Sequence, residues 1–91
     1  MFFMIKIKLK SFGIFGNFFG EDYFIYLDDN LNLGLLRGII ILKLHESNFN
    51  VNNFKDLIRV SIFSNRNEIL NDDYILKNDD VIYLLPPVSG G

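Results

Sequence analysis

The sequence predicts an α+β domain in which one main helix packs on one face of a single sheet. Two features predict the sheet: apolar and charged residues alternate over residues 5–10, and a continuous apolar run occupies residues 81–85. A third feature predicts the helix, because Leu33, Leu36 and Ile40 recur at helical spacing between these segments. One helix set among strands is the element order of an α+β roll.

Length, charge and cysteine content narrow the functional classes. The chain has 91 residues, which suits one small domain with little room for a deep substrate cleft. Its formal net charge is −2 and it contains no cysteine. The mixed, slightly negative charge argues against a nucleic-acid-binding protein. The absence of cysteine excludes a disulfide scaffold, a thiolate zinc site and a cysteine nucleophile. A binding module or carrier is therefore favoured over a self-sufficient enzyme.

The apolar content does not predict a membrane protein. Apolar residues make up 49% of the chain, yet no apolar run approaches the ~18 residues that a membrane-spanning helix needs. The apolar start at residues 1–4 is followed at once by Lys6, Lys8 and Lys10, which is the wrong order for a secretory signal. We therefore expect a cytoplasmic protein with no membrane and no nucleic-acid partner.

The first half of the chain is expected to hold two strands and the main helix. In the alternating strand, the apolar residues face the core and the lysines face solvent. Residues 11–20 contain three glycines and are expected to form a loop with at most one helical turn. Residues 23–27 are a second short strand. Asn32 is a plausible N-cap for the helix, which we expect to end near Leu44.

The second half is expected to supply the rest of the sheet. Residues 46–53 are polar and predict a loop, and residues 54–58 predict a helical turn. Residues 60–64 and 68–70 predict two strands joined by an asparagine-containing hairpin turn over residues 65–67. The closing apolar run predicts a central strand buried on both faces.

The chain ends in a segment whose chemistry differs from that of the domain. Pro86 and Pro87 end the strand and hold the root extended, because proline has no amide hydrogen to donate to a ladder. Gly90 and Gly91 have no side chains, so the tip can enter a narrow channel. Residues 86–91 can reach at most ~20 Å from the domain. The tip carries the Gly91 carboxylate, which is a weak electrophile until one oxygen becomes part of a good leaving group.

The ending Pro86-Pro87-Val88-Ser89-Gly90-Gly91 resembles that of the molybdopterin synthase small subunit (MoaD) and its archaeal small modifier relatives, which typically end in Pro-Pro-Val-small-Gly-Gly. The resemblance in outline covers nearly the whole chain. Ser11-Phe12-Gly13 after the first strand, Asn32-Leu33-Gly34 at the helix start and the turn over residues 76–80 are similar to that family. Only the C-terminal hexapeptide is specific.

Two turn positions depart from the family pattern. Asp79 and Asn67 stand where glycines are usual. Asn and Asp are the residues best able to replace glycine at positive φ, so we expect both turns to form.

The resemblance implies a fold. Residues 1–85 would form a ubiquitin-like β-grasp domain, with a mixed sheet and one main helix packed on one face. Residues 86–91 would form a flexible C-terminal tail ending in Gly-Gly, in which Pro86, Pro87, Val88, Ser89 and Gly90 bind partner proteins.

The resemblance also implies a reaction. An E1-like adenylating enzyme of the MoeB type would use Mg-ATP to adenylate the Gly91 carboxylate, and sulfur from a persulfide donor would then give a thiocarboxylate. The charged carrier would dock on the large synthase subunit (MoaE type), in a heterotetramer, and deliver sulfur to the pterin precursor of the molybdenum or tungsten cofactor. The chain would bind no cofactor and would be a cosubstrate rather than an enzyme.

Other functions use the same tail. A ubiquitin-like modifier would be joined through Gly91 to lysines of target proteins, because an activated carboxyl group reacts with amines as well as with sulfur. Sulfur carriage to tRNA or to thiamine is a further alternative. An unmodified domain of the same fold would tolerate removal of Gly90 and Gly91.

Several side chains have two interpretations. Phe12, Phe15, Phe18 and Phe19 can be core residues or part of a partner surface. His45 is expected at a helix C-terminus, where it interacts favourably with the dipole. Paired aspartates, as at Asp79 and Asp80, are expected in turns rather than at a metal site. Arg37 and Arg59 are expected on the solvated surface.

Overall fold

The computed structural model describes residues 4–20, 22–46 and 51–87. The strands are β1 (Met4–Ser11), β2 (Tyr23–Asp28), β3 (Ile62–Ser64), β4 (Ile69–Leu70) and β5 (Val81–Leu85). The helices are α1 (Gly16–Phe19), which follows a 3-10 turn at Gly13–Phe15, α2 (Leu33–Glu46) and α3 (Val51–Arg59).

The five strands form one mixed sheet in the order β2-β1-β5-β3-β4. The β1 and β5 strands are parallel, and the other neighbouring pairs are antiparallel. The prediction that residues 81–85 form a central strand is confirmed. Burial on both faces is wrong, because the helices cover only one face: Ile82 and Leu84 are buried, whereas Val81 is exposed.

The core lies between the inner face of the sheet and α2. The alternation predicted for the first strand is confirmed, since Ile5, Ile7 and Leu9 are buried. The helical positions predicted to face the core are all fully buried, namely Leu33, Leu36 and Ile40. Alternation in the strand and the 3.6-residue period in the helix therefore bury their apolar residues in one core.

The start of α2 is capped as predicted. The Leu35 amide donates to Asn32 Oδ1 at 2.9 Å. The free first-turn amides of Leu33 and Gly34 donate to the carbonyl oxygens of Tyr74 (3.1 Å) and Asp72 (2.9 Å). The segment between β4 and β5 therefore caps the N-terminus of α2. The helix extends to Glu46, two residues past the predicted end.

Two segments hold more helix than predicted. Residues 51–59 form helix α3, where a polar loop and a single helical turn were expected. Its end is anchored by Ile58, which is fully buried, so tertiary burial supports a helix that the asparagine-rich sequence does not favour. The expected loop over residues 11–20 contains two successive helical turns, at Gly13–Phe15 and Gly16–Phe19.

The two turns that lack the family's glycine are built differently. Asp79 has φ 69°, so it takes the conformation expected of the missing glycine. Among the described non-glycine residues, only Asn30 shares a positive φ. Asn67 does not adopt it. Instead Asn65 Oδ1 accepts hydrogen bonds from the amides of Asn67 (2.8 Å) and Glu68 (2.9 Å), which closes that turn.

Arg37 is not a solvated surface residue. Its Nη1 donates to the carbonyl oxygens of Ile58 at 2.7 Å and Ser61 at 2.8 Å. Its Nη2 lies 2.7 Å from Asp72 Oδ1, and its guanidinium carbon lies 4.5 Å from the centre of the Phe63 ring. Arg37 therefore joins α2 to the last turn of α3, to the segment between α3 and β3 and to the loop after β4.

No helix in residues 4–20, 22–46 or 51–87 is long and apolar enough to cross a membrane. Within the same ranges, no group of three or more His, Cys, Asp or Glu side chains could hold a metal ion.

Candidate functional site

The candidate site is the place where the tail leaves the domain. Strand β5 ends at Leu85, which pairs with Ile62 of β3, and the half-buried Pro86 and Pro87 follow. Because β5 runs parallel to β1, Pro86 and Pro87 follow beside the end of β1, where Ser11 pairs with Leu84. Val88, Ser89, Gly90 and Gly91 lie outside the described residues, so their assignment as tail and reactive terminus remains a prediction.

The turn after β1 supports the root of the tail. The Phe12 amide donates to the Leu84 carbonyl at 3.2 Å, and the Phe12 ring lies 5.4 Å from that of Tyr83. Gly13 lies directly against Pro86. The first helical turn and the last strand are thus bound together at the point where the tail begins.

The four phenylalanines predicted as a possible partner surface do not act together. Phe12 is 42% exposed beside the tail. Phe15 is fully buried, so its assignment to a surface is wrong: the 3-10 turn folds it over the end of the core. Phe19 is partly buried against the core, and its ring makes an edge contact with Tyr23. The side chain of Phe18 lies outside the described residues.

A larger apolar surface lies on the sheet itself. We call the side of the sheet that the helices leave uncovered the outer face. Phe24 and Tyr26 of β2 are 48% and 65% exposed there. On β5, Val81 is exposed and Tyr83 is half-buried. Sequence analysis missed this face, although the alternation in β1 indicated that one side of the sheet is accessible.

Lysines interleave with the aromatic residues of the outer face. The Nζ atoms of Lys6 and Lys8 lie 5.2 and 5.4 Å from the centre of the Phe24 ring. Lys10 Nζ lies 3.6 Å from Asp22 Oδ1. A surface of this kind combines apolar contact area with cationic groups, which suits a protein partner that carries both apolar and acidic side chains.

A shallow polar groove of about 390 Å³ crosses this face near the start of β5. Its lining includes the cationic residues Lys8, Lys10 and Arg66 and the acidic residues Asp79 and Asp80. With both signs of charge and an open shape, the groove suits polar side chains of a partner better than an apolar ligand.

A tyrosine fixes the turn that leads into β5. Tyr74 Oη donates to Asp80 Oδ2 at 3.0 Å, and the same oxygen accepts the Lys77 amide at 2.9 Å. Burial raises the pKa of the Tyr74 phenol, and the hydrogen bond to the Asp80 carboxylate raises it further. The phenol is therefore held protonated and anchors the turn.

Two of the aspartates singled out in the sequence make hydrogen bonds that stabilise the fold. Asp72 binds Arg37, and Asp80 accepts the two hydrogen bonds from Tyr74 and Lys77. His45 falls in the last turn of α2, but its side chain lies outside what the structure describes. The described part of the site therefore supports Pro86 and Pro87, and places no catalytic acid–base pair beside them.

Comparison with known proteins gives matches to solved structures. No protein-family model matches the chain, and no curated protein matches its sequence. SAMP1 from Haloferax volcanii is 19% identical, with 94% of this chain and 99% of that chain covered and a TM-score of 0.65. Ubiquitin from Caldiarchaeum subterraneum is 16% identical, with 98% and 100% covered and a TM-score of 0.55.

The third solved structure is subunit 1 of molybdopterin-converting factor from Helicobacter pylori, in a complex with subunit 2. It is 26% identical, with 96% of this chain and 100% of that chain covered and a TM-score of 0.55. The five-stranded mixed sheet packed against helices is thus the ubiquitin-like β-grasp fold. These solved neighbours support the resemblance of the sequence to the ubiquitin-like sulfur-carrier family, which includes the molybdopterin synthase small subunit.

Proposed function

We propose that this chain is a sulfur carrier for molybdopterin synthesis, charged as a thiocarboxylate on Gly91. The observation that carries the proposal is the position of Pro86 and Pro87: they continue directly from the central strand, beside an accessible apolar face, and the sequence after them runs to Gly90 and Gly91. The solved neighbours support a ubiquitin-like small modifier or sulfur carrier. The 26% identity to a molybdopterin-converting factor subunit favours the sulfur carrier.

The proposed charging reaction has three steps. In an E1-like enzyme, a Gly91 carboxylate oxygen attacks the α-phosphorus of Mg-ATP, and pyrophosphate leaves. The terminal sulfur of a persulfide attacks the carbonyl carbon of the acyl adenylate, and AMP leaves. A second thiol then cleaves the sulfur–sulfur bond, which yields the Gly91 thiocarboxylate and a disulfide. The carrier contributes the carboxyl group and a slender tail, and its partners contribute the catalytic groups.

The outer face is the proposed docking surface for these partners. It is continuous with the tail root through Tyr83, which contacts Phe12. A partner that covers this face can receive the tail in its own active site. The solved complex of subunits 1 and 2 of molybdopterin-converting factor supports a partner subunit. We propose a large synthase subunit of the MoaE type as that partner, where sulfur passes to the pterin precursor.

Intact-mass spectrometry tests the charging reaction. A chain ending at Gly91 is incubated with each of a panel of E1-like enzymes, Mg-ATP and a persulfide or inorganic sulfide. We expect a mass gain equal to the replacement of one oxygen by sulfur. A variant that lacks Gly90 and Gly91 should show no gain, and Gly91→Ala should gain mass more slowly. No gain in the full chain with any enzyme would contradict the proposal.

The same chemistry supports protein conjugation as a second candidate, and the structural match to an archaeal ubiquitin favours including it. In that case Gly91 is joined to lysine amines of target proteins. Digestion of a cell extract containing the tagged chain, followed by peptide mass spectrometry, would reveal isopeptides that carry the Gly91 carbonyl. Such isopeptides without thiocarboxylate would favour the modifier over the sulfur carrier.

A further inference from the structure

Gly13 lies under the root of the tail in a way that no side chain could reproduce. Its φ is +61°, a conformation that L side chains rarely adopt. A methyl group built on its Cα would lie 3.0 Å from Pro86 Cγ and 3.6 Å from Pro86 Cδ. Ordinary carbon contacts are about 3.5–4.0 Å. A change of ring pucker can move Pro86 Cγ, so we expect the contact to be relieved in part by the proline ring and in part by a shift of the tail root or the turn.

The turn is the part less able to move. Its Phe15 is fully buried, and the Phe15 amide donates to the Phe12 carbonyl at 3.3 Å. The Phe12 amide is bonded to Leu84 of β5. These contacts fix the turn to the core on one side and to the last strand on the other. A side chain at position 13 would therefore displace Pro86 rather than the turn.

Gly20 shows that positive φ alone does not produce this arrangement. Its φ is +70°, yet a methyl group built there would meet nothing within 4 Å. Backbone conformation is a sufficient reason for glycine at position 20. At position 13 there is a second and independent reason, which is the close approach of Pro86.

We propose that Gly13 is a positioning residue that sets the direction in which the tail leaves the domain. A displacement of about 0.5 Å at Pro86 changes the direction of the stiff Pro86-Pro87 root, and the mean position of the residues that follow shifts with it, by about 2 Å at the end of a fully extended tail of roughly 17 Å. An error of that size at a reacting carboxylate is enough to slow its reaction substantially. The catalytic consequence rests on the proposed function, whereas the change in direction can be measured separately.

Distances between spin labels test the direction. The described residues contain no free cysteine, and the sequence has none, so pairs of labels can be introduced at will. One label is placed at Ser89→Cys and the other at one of two exposed positions, Val60→Cys or Tyr26→Cys. Val60 lies two residues before β3 and Tyr26 lies in β2, and β3 and β2 are on opposite sides of β5 in the sheet. We expect Gly13→Ala to shift at least one mean distance by about 2 Å relative to the same labelled wild-type chain.

Substitution by asparagine separates packing from backbone strain. Asparagine tolerates positive φ better than alanine but carries the same Cβ. We expect Gly13→Asn to shift the label distances as Gly13→Ala does, because the Cβ contact with Pro86 is common to both. Gly20→Ala introduces strain without that contact and should leave the distances unchanged. Wild-type distances in both Gly13 variants would overturn the inference.

Kinetics of Gly91 adenylation, followed by ATP–pyrophosphate exchange, test the consequence. We expect Gly13→Ala to lower kcat by about tenfold with the KM for the carrier nearly unchanged, because the outer face still docks. In a Pro86→Ala background, which lacks the contacting ring atoms, Gly13→Ala should lower kcat by less than about twofold. Gly20→Ala should leave kcat unchanged.

Each result is decisive. An equal loss of kcat in Gly20→Ala, or an undiminished loss in the Pro86→Ala background, would assign the effect to general destabilisation and overturn the inference. A shifted tail with wild-type kcat would also overturn the positioning role. If no E1-like enzyme adenylates the wild-type chain, the proposed function fails, and the label distances alone decide whether Gly13 sets the direction of the tail.

Discussion

At the scale of single residues, the fold depends on polar side chains that satisfy backbone groups far away in sequence. Arg37 on α2 donates to the Ile58 and Ser61 carbonyls, and it also binds Asp72. Its side chain is only 13% exposed, so those carbonyls have little access to water as a replacement. Arg37 therefore contributes stability that its position in the sequence does not reveal.

Replacement of Arg37 should be costly. Arg37→Met keeps an aliphatic side chain near the Phe63 ring but removes the Nη1 donor from both carbonyls and the ion pair with Asp72. The Ile58 carbonyl keeps the Ser61 amide and hydroxyl as donors, so the Ser61 carbonyl is the one left unpaired. We expect the free energy of unfolding in urea to fall by about 3 kcal/mol. Asp72→Asn is the matched control, because Asp72 is 56% exposed and loses only an ion pair; its cost should stay below about 1 kcal/mol. Equal losses in the two variants would show that the backbone hydrogen bonds contribute little.

Tyr74 predicts how stability depends on pH. Burial and the Asp80 hydrogen bond raise its pKa in the folded state above the ordinary value of 10.0. Folding therefore favours the protonated phenol. The contribution of Tyr74 to the free energy of unfolding is fully present below the unfolded pKa of 10.0, and it is lost as the pH rises through the higher pKa of the folded state.

The corresponding measurement compares Tyr74→Phe with the wild-type chain. We expect the wild-type free energy of unfolding to fall more steeply than that of Tyr74→Phe above a pH of about 10. Tyrosines whose pKa is the same in both states do not contribute to that difference. Parallel pH profiles for the two proteins would rule out Tyr74 as the source.

At the scale of elements, the two faces of the sheet differ in burial and in composition. One face of β1 and β5 packs into the core, and the other carries the lysines and the exposed aromatic residues. Residues 81–85 are all apolar, yet only alternate residues of this strand are buried, because one face of the sheet is uncovered. The outward-facing residues of the strand contribute to a surface that a partner can cover. The same reasoning separates Phe15, which packs inward, from Phe12, which remains accessible.

The outer face predicts the effect of a surface substitution. Phe24→Ser removes an exposed ring beside Lys6 and Lys8. We expect the KM for the carrier in the adenylation assay to rise about fivefold, with little change in the free energy of unfolding. Leu42→Ser is the matched control, since Leu42 is 62% exposed on α2, on the helical side of the molecule. A similar rise in KM for both variants would argue against docking through the outer face.

At the scale of the whole molecule, the topology brings parts of the chain that are distant in sequence into contact. Because β1 and β5 are parallel neighbours, the turn that follows the first strand meets the proline pair that follows the last. The contact of Gly13 with Pro86 therefore joins positions 73 residues apart, by subtraction of their numbers. Under the proposed function, this is the contact that would set where a reactive terminal tail points.

The local periodicities and the chemical character of the tail can be read from the sequence. Alternation in the first strand, the apolar face of α2 and its Asn32 cap follow from rules that act over a few residues, and the structure confirms them. The folded structure was needed to show that α3 is a helix, that Phe15 is buried, that Arg37 bonds distant carbonyls and that Gly13 lies against Pro86. Each of these depends on which surfaces meet after folding, and contacts between residues distant along the chain leave no periodic signal in a single sequence.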